Sequence, residues 1–90
     1  MKAVVLYHPA PDVLEKAPLH FPAHKALLDA SHAKGDLLAV GPFSDPREGS
    51  MGIFRSRAAA EAFVAVDPFV LNGVVARYDI KDWKEILLPE

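Results

Sequence analysis

Two side chains in this sequence, His24 and Asp67, have the types that proton transfer near neutral pH requires. An imidazole changes charge between about pH 5 and 8 and serves as general base or acid. A carboxylate bonded to one ring nitrogen would fix its tautomer. Two other polar or turn signals accompany them: Tyr7-His8-Pro9 and Gly41-Pro42. Taken singly, each has a plain reading. His24 could be a core-edge histidine bonded to a carbonyl, Asp67 a turn residue before proline, and His8 a solvated strand end. Brought together, they would make an acid–base pocket.

Other chemistries find less support. His20-x-x-x-His24 has the spacing of two metal ligands on one helix face. Pro22 between them predicts that His20 precedes the regular helix, and no third ligand is placed, so no metal site is expected. Ser44 lacks a nucleophile elbow around it, and Asp45 and Glu48 read as residues that solvate a loop. No glycine-rich phosphate motif is present, so no nucleotide cofactor is expected.

The elements must position these groups. Residues 2–8 read as a strand, a short β-branched run ended by proline. Residues 10–21 carry Pro11, Pro18 and Pro22, which predict at most one helical turn near 12–16. Pro22 suits the first turn of a helix running to Lys34, with Gly35 as its stop. Residues 36–41 form a second strand, 43–50 a polar loop and 51–55 a third strand. Ser56 caps a helix over 57–66. Residues 73–81 form the last strand, and Trp83 to Leu88 an apolar tail, with Trp83 as its packing anchor. A βαββαβ chain folded as an antiparallel sheet brings Tyr7-His8-Pro9, the start of the first helix, the loop after Gly41-Pro42 and Asp67-Pro68-Phe69 to one end. His24, Leu27, Leu28 and Ser31 share one helical stripe toward the sheet.

Ninety residues make one domain, 1–90. No apolar run approaches ~18 residues and no signal-peptide pattern opens the chain, so it reads as cytoplasmic and not membrane-bound. The absence of cysteine excludes a disulfide framework and a thiol nucleophile. A net charge of −2 with scattered signs gives no footprint for nucleic acid. Strands one and two are apolar on both faces and read as central strands. Two helices cover only one side of a sheet, so a second copy is expected to cover the other, giving a homodimer or a higher oligomer.

The strand Val4-Val5-Leu6-Tyr7, then Pro22-Ala23-His24, Gly35-Asp36-Leu37-Leu38-Ala39-Val40-Gly41-Pro42, Ala62-Phe63-Val64-Ala65-Val66-Asp67-Pro68-Phe69 and Gly73-Val74 together resemble the YCII-related (YciI-like) family over nearly the whole chain. The resemblance implies a ferredoxin-like α+β sandwich pairing as a dimeric α/β barrel. It also implies a His–Asp pair, which falls on His24 and Asp67. The family is similar to muconolactone isomerase-type proteins, and some relatives remove halide from chlorinated lactones. The expected substrate is therefore a small unsaturated acid or lactone. It would be bound by Tyr7, His8, Leu28, Gly41, Pro42, Phe43, Pro68 and Phe69, with Lys25 or Arg47 as the nearby bases for a substrate carboxylate. The alternative is a non-catalytic ligand-binding or accessory module of the same fold.

Overall fold

The computed structural model describes residues 1–87. The chain runs β1 (Lys2–Pro9), α1 (Val13–Ala33), β2 (Leu37–Pro42), a 3-10 turn (Pro46–Glu48), β3 (Ser50–Phe54), α2 (Arg57–Val66), α3 (Pro68–Leu71) and β4 (Val75–Trp83). The strands lie in the order β2-β3-β1-β4, each antiparallel to its neighbours. This is the ferredoxin-like α+β sandwich of the dimeric α/β-barrel class.

Alternation along β1 turns Ala3, Val5 and Tyr7 toward the helices. Register places Phe54 opposite Ala3, Gly52 opposite Val5 and Ser50 opposite Tyr7, so these residues of β3 share that face. Leu37 and the α2 residues Ala59, Ala60, Phe63 and Val64 complete the core. Ser56 caps α2 as the sequence predicts, accepting from the Ala59 amide at 3.2 Å.

Three expectations need correction. The first helix does not begin at Pro22: α1 starts at Val13 and contains both Pro18 and Pro22. Each proline removes one amide donor, to the carbonyls of Leu14 and Pro18 respectively. The two prolines are four residues apart and both exposed, as is Leu14, so the freed carbonyls belong to residues on the solvent side, where a lost helical bond costs least. His20 therefore lies inside the helix. Second, β2 is an edge strand, not a central one. Its pairing with β3 shifts by one residue between Leu37 and Ala39, a bulge at Leu38. Third, Trp83 ends β4, paired with Lys2, and is not the start of a separate tail. Glu85 beyond it bonds Lys2 at 2.9 Å, while Ile86 and Leu87 are exposed; Leu88 lies outside the described residues. Among the described residues, no helix is long and apolar enough to cross a membrane.

Candidate active site

Asp67 sits at the joint of two helices. Its backbone (φ −68°, ψ 122°) breaks the helical path after α2, and Pro68 opens α3. A carboxylate at the end of α2 would face the negative pole of that helix. The one-turn α3, absent from the sequence reading, resolves this: Asp67 is also its N-cap, and Oδ1 accepts the Phe69 amide at 3.1 Å.

The carboxylate is fully buried, and its two oxygens collect two further donors. His24 Nδ1 lies 2.7 Å from Oδ1, and the Tyr7 hydroxyl donates to Oδ2 at 2.5 Å. An ionised carboxylate only accepts, so Nδ1 carries the hydrogen and Nε2 of the neutral ring carries the lone pair. Burial, and next the hydrogen bond to Asp67, push the Tyr7 hydroxyl far above its ordinary value of 10.0. Tyr7 is therefore a permanent donor here. Three donors offset a desolvation cost that for a bare buried carboxylate amounts to several kcal/mol.

Aromatic rings fix the imidazole plane. Phe69 stacks on His24 with centroids 3.8 Å apart and planes 3° from parallel. Phe63 meets it edge-on at 6.5 Å. The sheet-facing stripe of α1 is as the sequence predicts, with His24 and Ser31 buried and Leu27 and Leu28 packed against the core. Nε2 has no protein partner among the described residues. No described side-chain polar atom is both sealed from solvent and unpaired, so Nε2 keeps contact with solvent, and His24 lines the adjoining cavity.

That cavity is lined by Val5 and Tyr7 of β1, His24 and Leu28 of α1, Val40 of β2, Phe63 of α2, and Ser50, Met51, Gly52 and Phe54 of β3. Its free volume of about 20 Å³ holds roughly one water. Thus His24, Asp67, Tyr7, Leu28 and Phe69 come together, with Pro68 beside them as the first residue of α3. His8 does not join them. It neighbours Tyr7 in β1, points to the other side of the sheet and bonds Asp79 through Nε2 at 2.7 Å. That bond is the main reason the Asp79 carboxyl lies below its ordinary range. Gly41, Pro42 and Phe43 line a neighbouring depression with Ala39 and Ile53, which shares Val40 and Met51 with the His24 cavity.

The basic groups near the site are engaged. Lys25 bonds both oxygens of Asp29 at 2.7 and 2.9 Å, and Arg47 grips Asp45 through two nitrogens, each at 3.0 Å. Asp45 thereby anchors the 3-10 turn beyond merely solvating the loop, and Arg47 holds its carboxyl below the usual range. His20 sits one turn before His24, whose Nδ1 is already bound to Asp67. Among the described residues, no three His, Cys, Asp or Glu side chains are grouped to hold a metal ion. Val40, Ser50, Met51, Gly52, Phe54 and Phe63 were not legible as cavity residues. Inward alternation on β3 and α2 could have found Phe54 and Phe63, whereas Ser50 carries no motif.

Residues 1–84 match the YCII-related domain. Protein YciI of Escherichia coli O6:H1 is 35% identical over 88 residues, covering 83% of this chain and 88% of that protein. Among solved structures, the chain resembles 5-chloro-2-hydroxyhydroquinone dehydrochlorinase (TftG) from Burkholderia phenoliruptrix AC1100, in complex with 2,5-dihydroxybenzoquinone. The TM-score is 0.77 at 26% identity, covering 93% of this chain and 94% of that one. An antibiotic biosynthesis monooxygenase shares the fold with a TM-score of 0.59 at 14% identity, over 94% and 97% of the two chains.

Proposed function

Since the chain belongs to the YCII-related family, we propose that it is a small enzyme moving a proton on a compact unsaturated lactone or acid, with His24 as base and Asp67 orienting it. The observation that carries this reading is the 2.7 Å bond from His24 Nδ1 to buried Asp67, which leaves Nε2 as an accepting atom toward a cavity. Nε2 takes a proton from a substrate carbon, and the C–H electron pair moves into the conjugated system. The imidazolium so formed is stabilised by the Asp67 carboxylate. If the proton is returned to a different carbon, the result is an isomerisation. If the electron pair instead expels a halide, the result is dehydrohalogenation. The likeness to a dehydrochlorinase acting on a chlorinated hydroxyhydroquinone supports a flat, conjugated substrate. With Lys25 and Arg47 already paired, a lactone or enol suits the site better than a carboxylic acid.

The cavity in one chain is narrower than a ring, which is the one observation favouring a binding or accessory module. Sheet-to-sheet pairing of two copies is part of the enzyme reading, and ring entry requires the cavity to widen. The test is a thermal-shift and turnover screen with small lactones and hydroxyquinones. Turnover should occur in the wild type and fall at least ~100-fold in His24→Ala with folding unchanged. Full activity in His24→Ala would remove the histidine from the mechanism. Binding without turnover of any compound would establish the module instead.

A further inference from the structure

The sheet carries two unmatched features at opposite corners. At the first, β4 ends at Trp83, in register with Lys2 where β1 begins. Glu85 then reaches back to Lys2 at 2.9 Å, and both side chains of this pair are nearly buried. The pair pins the chain to that corner. Just past the pin, Ile86 and Leu87 are 89% and 92% exposed, more than any other large apolar residue described. A lone exposed leucine is ordinary, but two adjacent aliphatic residues held out by a buried ion pair are an apolar patch left open to water.

At the second corner, the depression on β2 and β3 has a free volume of about 280 Å³. Ala39, Val40, Phe43, Met51 and Ile53 are among its walls, and none of its lining residues is polar or charged. Register puts Ile53 opposite Val4 and Met51 opposite Leu6, on the sheet face turned away from the helices. Val40 and Met51 also line the His24 cavity, so whatever fills the depression borders that cavity. A chain's own tail does not fill it. Gly41, at the middle of the depression, pairs with Met51, which pairs with Leu6. From Lys2 it is thus two strand spacings across and four residues along, about 17 Å in all. Two residues beyond Glu85 span at most about 7 Å, and their side chains stand in solvent.

We infer that the Ile86-Leu87 tail of each copy docks in the depression of a second copy and so walls that copy's His24 cavity. This rests on the sheet-to-sheet pairing included in the reading above. The order β2-β3-β1-β4 puts the two corners at opposite edges of one sheet. A two-fold axis between the apposed faces, running along the other diagonal, carries each tail corner onto the partner's depression. The contact then occurs twice, as an isologous interface requires. The strands of the two sheets cross steeply, as in orthogonal sheet packing. Aliphatic side chains match the hydrocarbon walls, and the Lys2–Glu85 pair holds the tail in place beforehand, which reduces the ordering that docking requires. The site of one copy is incomplete without the other. Val40 and Met51 have the partner's tail against one side and the cavity of His24 on the other.

The test places thiols in a chain that has no cysteine of its own. In Phe43→Cys/Leu87→Cys, a short bismaleimide should join tail to depression between chains, giving a covalent species of twice 9.8 kDa. Leu71→Cys/Leu87→Cys, with its second thiol on α3 on the far side of the sheet, should give no such species. Ile86→Asp/Leu87→Asp should weaken the dimer at least about tenfold, read by light scattering over a dilution series. It should also speed carbethoxylation of His24 several-fold, read by peptide mass mapping, with the circular dichroism spectrum unchanged. A link within one chain, or a yield no higher than in the Leu71 control, would overturn the inference. So would an aspartate variant with wild-type dimer strength or a wild-type rate of His24 modification. In those cases a wild-type protein that is still a dimer keeps the sheet pairing, whereas a wild-type monomer overturns both together.

Discussion

Asp67 is the residue on which the site turns, because one buried carboxylate accepts from Tyr7, His24 and the Phe69 amide. Removing one donor leaves an unmet acceptor, at a cost of about 1–3 kcal/mol. Tyr7→Phe should therefore lower urea-measured stability at pH 7 by that amount. Its pH dependence has a defined sign. The Tyr7 hydroxyl is held far above its ordinary 10.0 in the fold, chiefly by burial. The stability it contributes is complete below pH 10.0 and is lost above it, where the unfolded tyrosine ionises and the folded one does not. The slope reaches about 1.4 kcal/mol per pH unit. Wild type should lose stability more steeply than Tyr7→Phe between about pH 10 and 11, and equal slopes would refute this. The proximity of His24 and Asp67 was legible because alternating chain direction dictates which element ends share a side of the sheet. The Tyr7 bond and the Ser50 hydroxyl were not, since they depend on side-chain reach and on strand register, neither of which leaves a local pattern.

At the scale of elements, the loop ahead of β3 carries the most constraint per residue. Gly49 and Gly35 both have positive φ, 98° and 84°, but a Cβ on Gly35 meets nothing within 4 Å. Gly35→Ala should cost about 1 kcal/mol from backbone strain alone. Gly49→Ala adds a collision with the Tyr7 carbonyl, and should cost well over 2 kcal/mol. Chemical denaturation of the two variants separates the terms; equal losses would mean the loop gives way without resistance. Glycine at the end of α1 was readable as a stop because it follows a helical stripe. Gly49 was hidden in a polar stretch that gives no sign of its neighbour across the sheet. The prolines of α1 misled for a related reason: their cost depends on whether the freed carbonyls meet water, which is a property of the packed helix and not of the dipeptide.

For the whole molecule, one sheet face remains to be covered. Val4, Leu6, Met51 and Ile53 alternate away from the helix-facing residues of β1 and β3, forming an apolar band. Its proposed cover is a second copy related by a two-fold axis. Light scattering at micromolar concentration should give about twice the chain mass of 9.8 kDa, and Leu6→Glu should give the monomer. A wild-type monomer, or a dimer untouched by Leu6→Glu, would place the contact elsewhere or nowhere. The element order and the antiparallel sheet were readable from hydrophobic periodicity and turn residues. The edge position of β2 was not, because a strand apolar on both faces imitates a central one until its partners are known. That position has a cost for solubility. An apolar strand with one open ladder, carrying half-exposed Leu38 and Val40, is a template on which further chains could stack into fibrils. The bulge at Leu38 breaks the regular spacing of that ladder, and Pro42 removes a donor at its end. At the opposite edge, Arg77, Asp79 and Lys81 on β4 do the same by charge. The irregularity of β2, of no evident use to the chemistry, interrupts the even ladder that an added strand would need to pair along this edge.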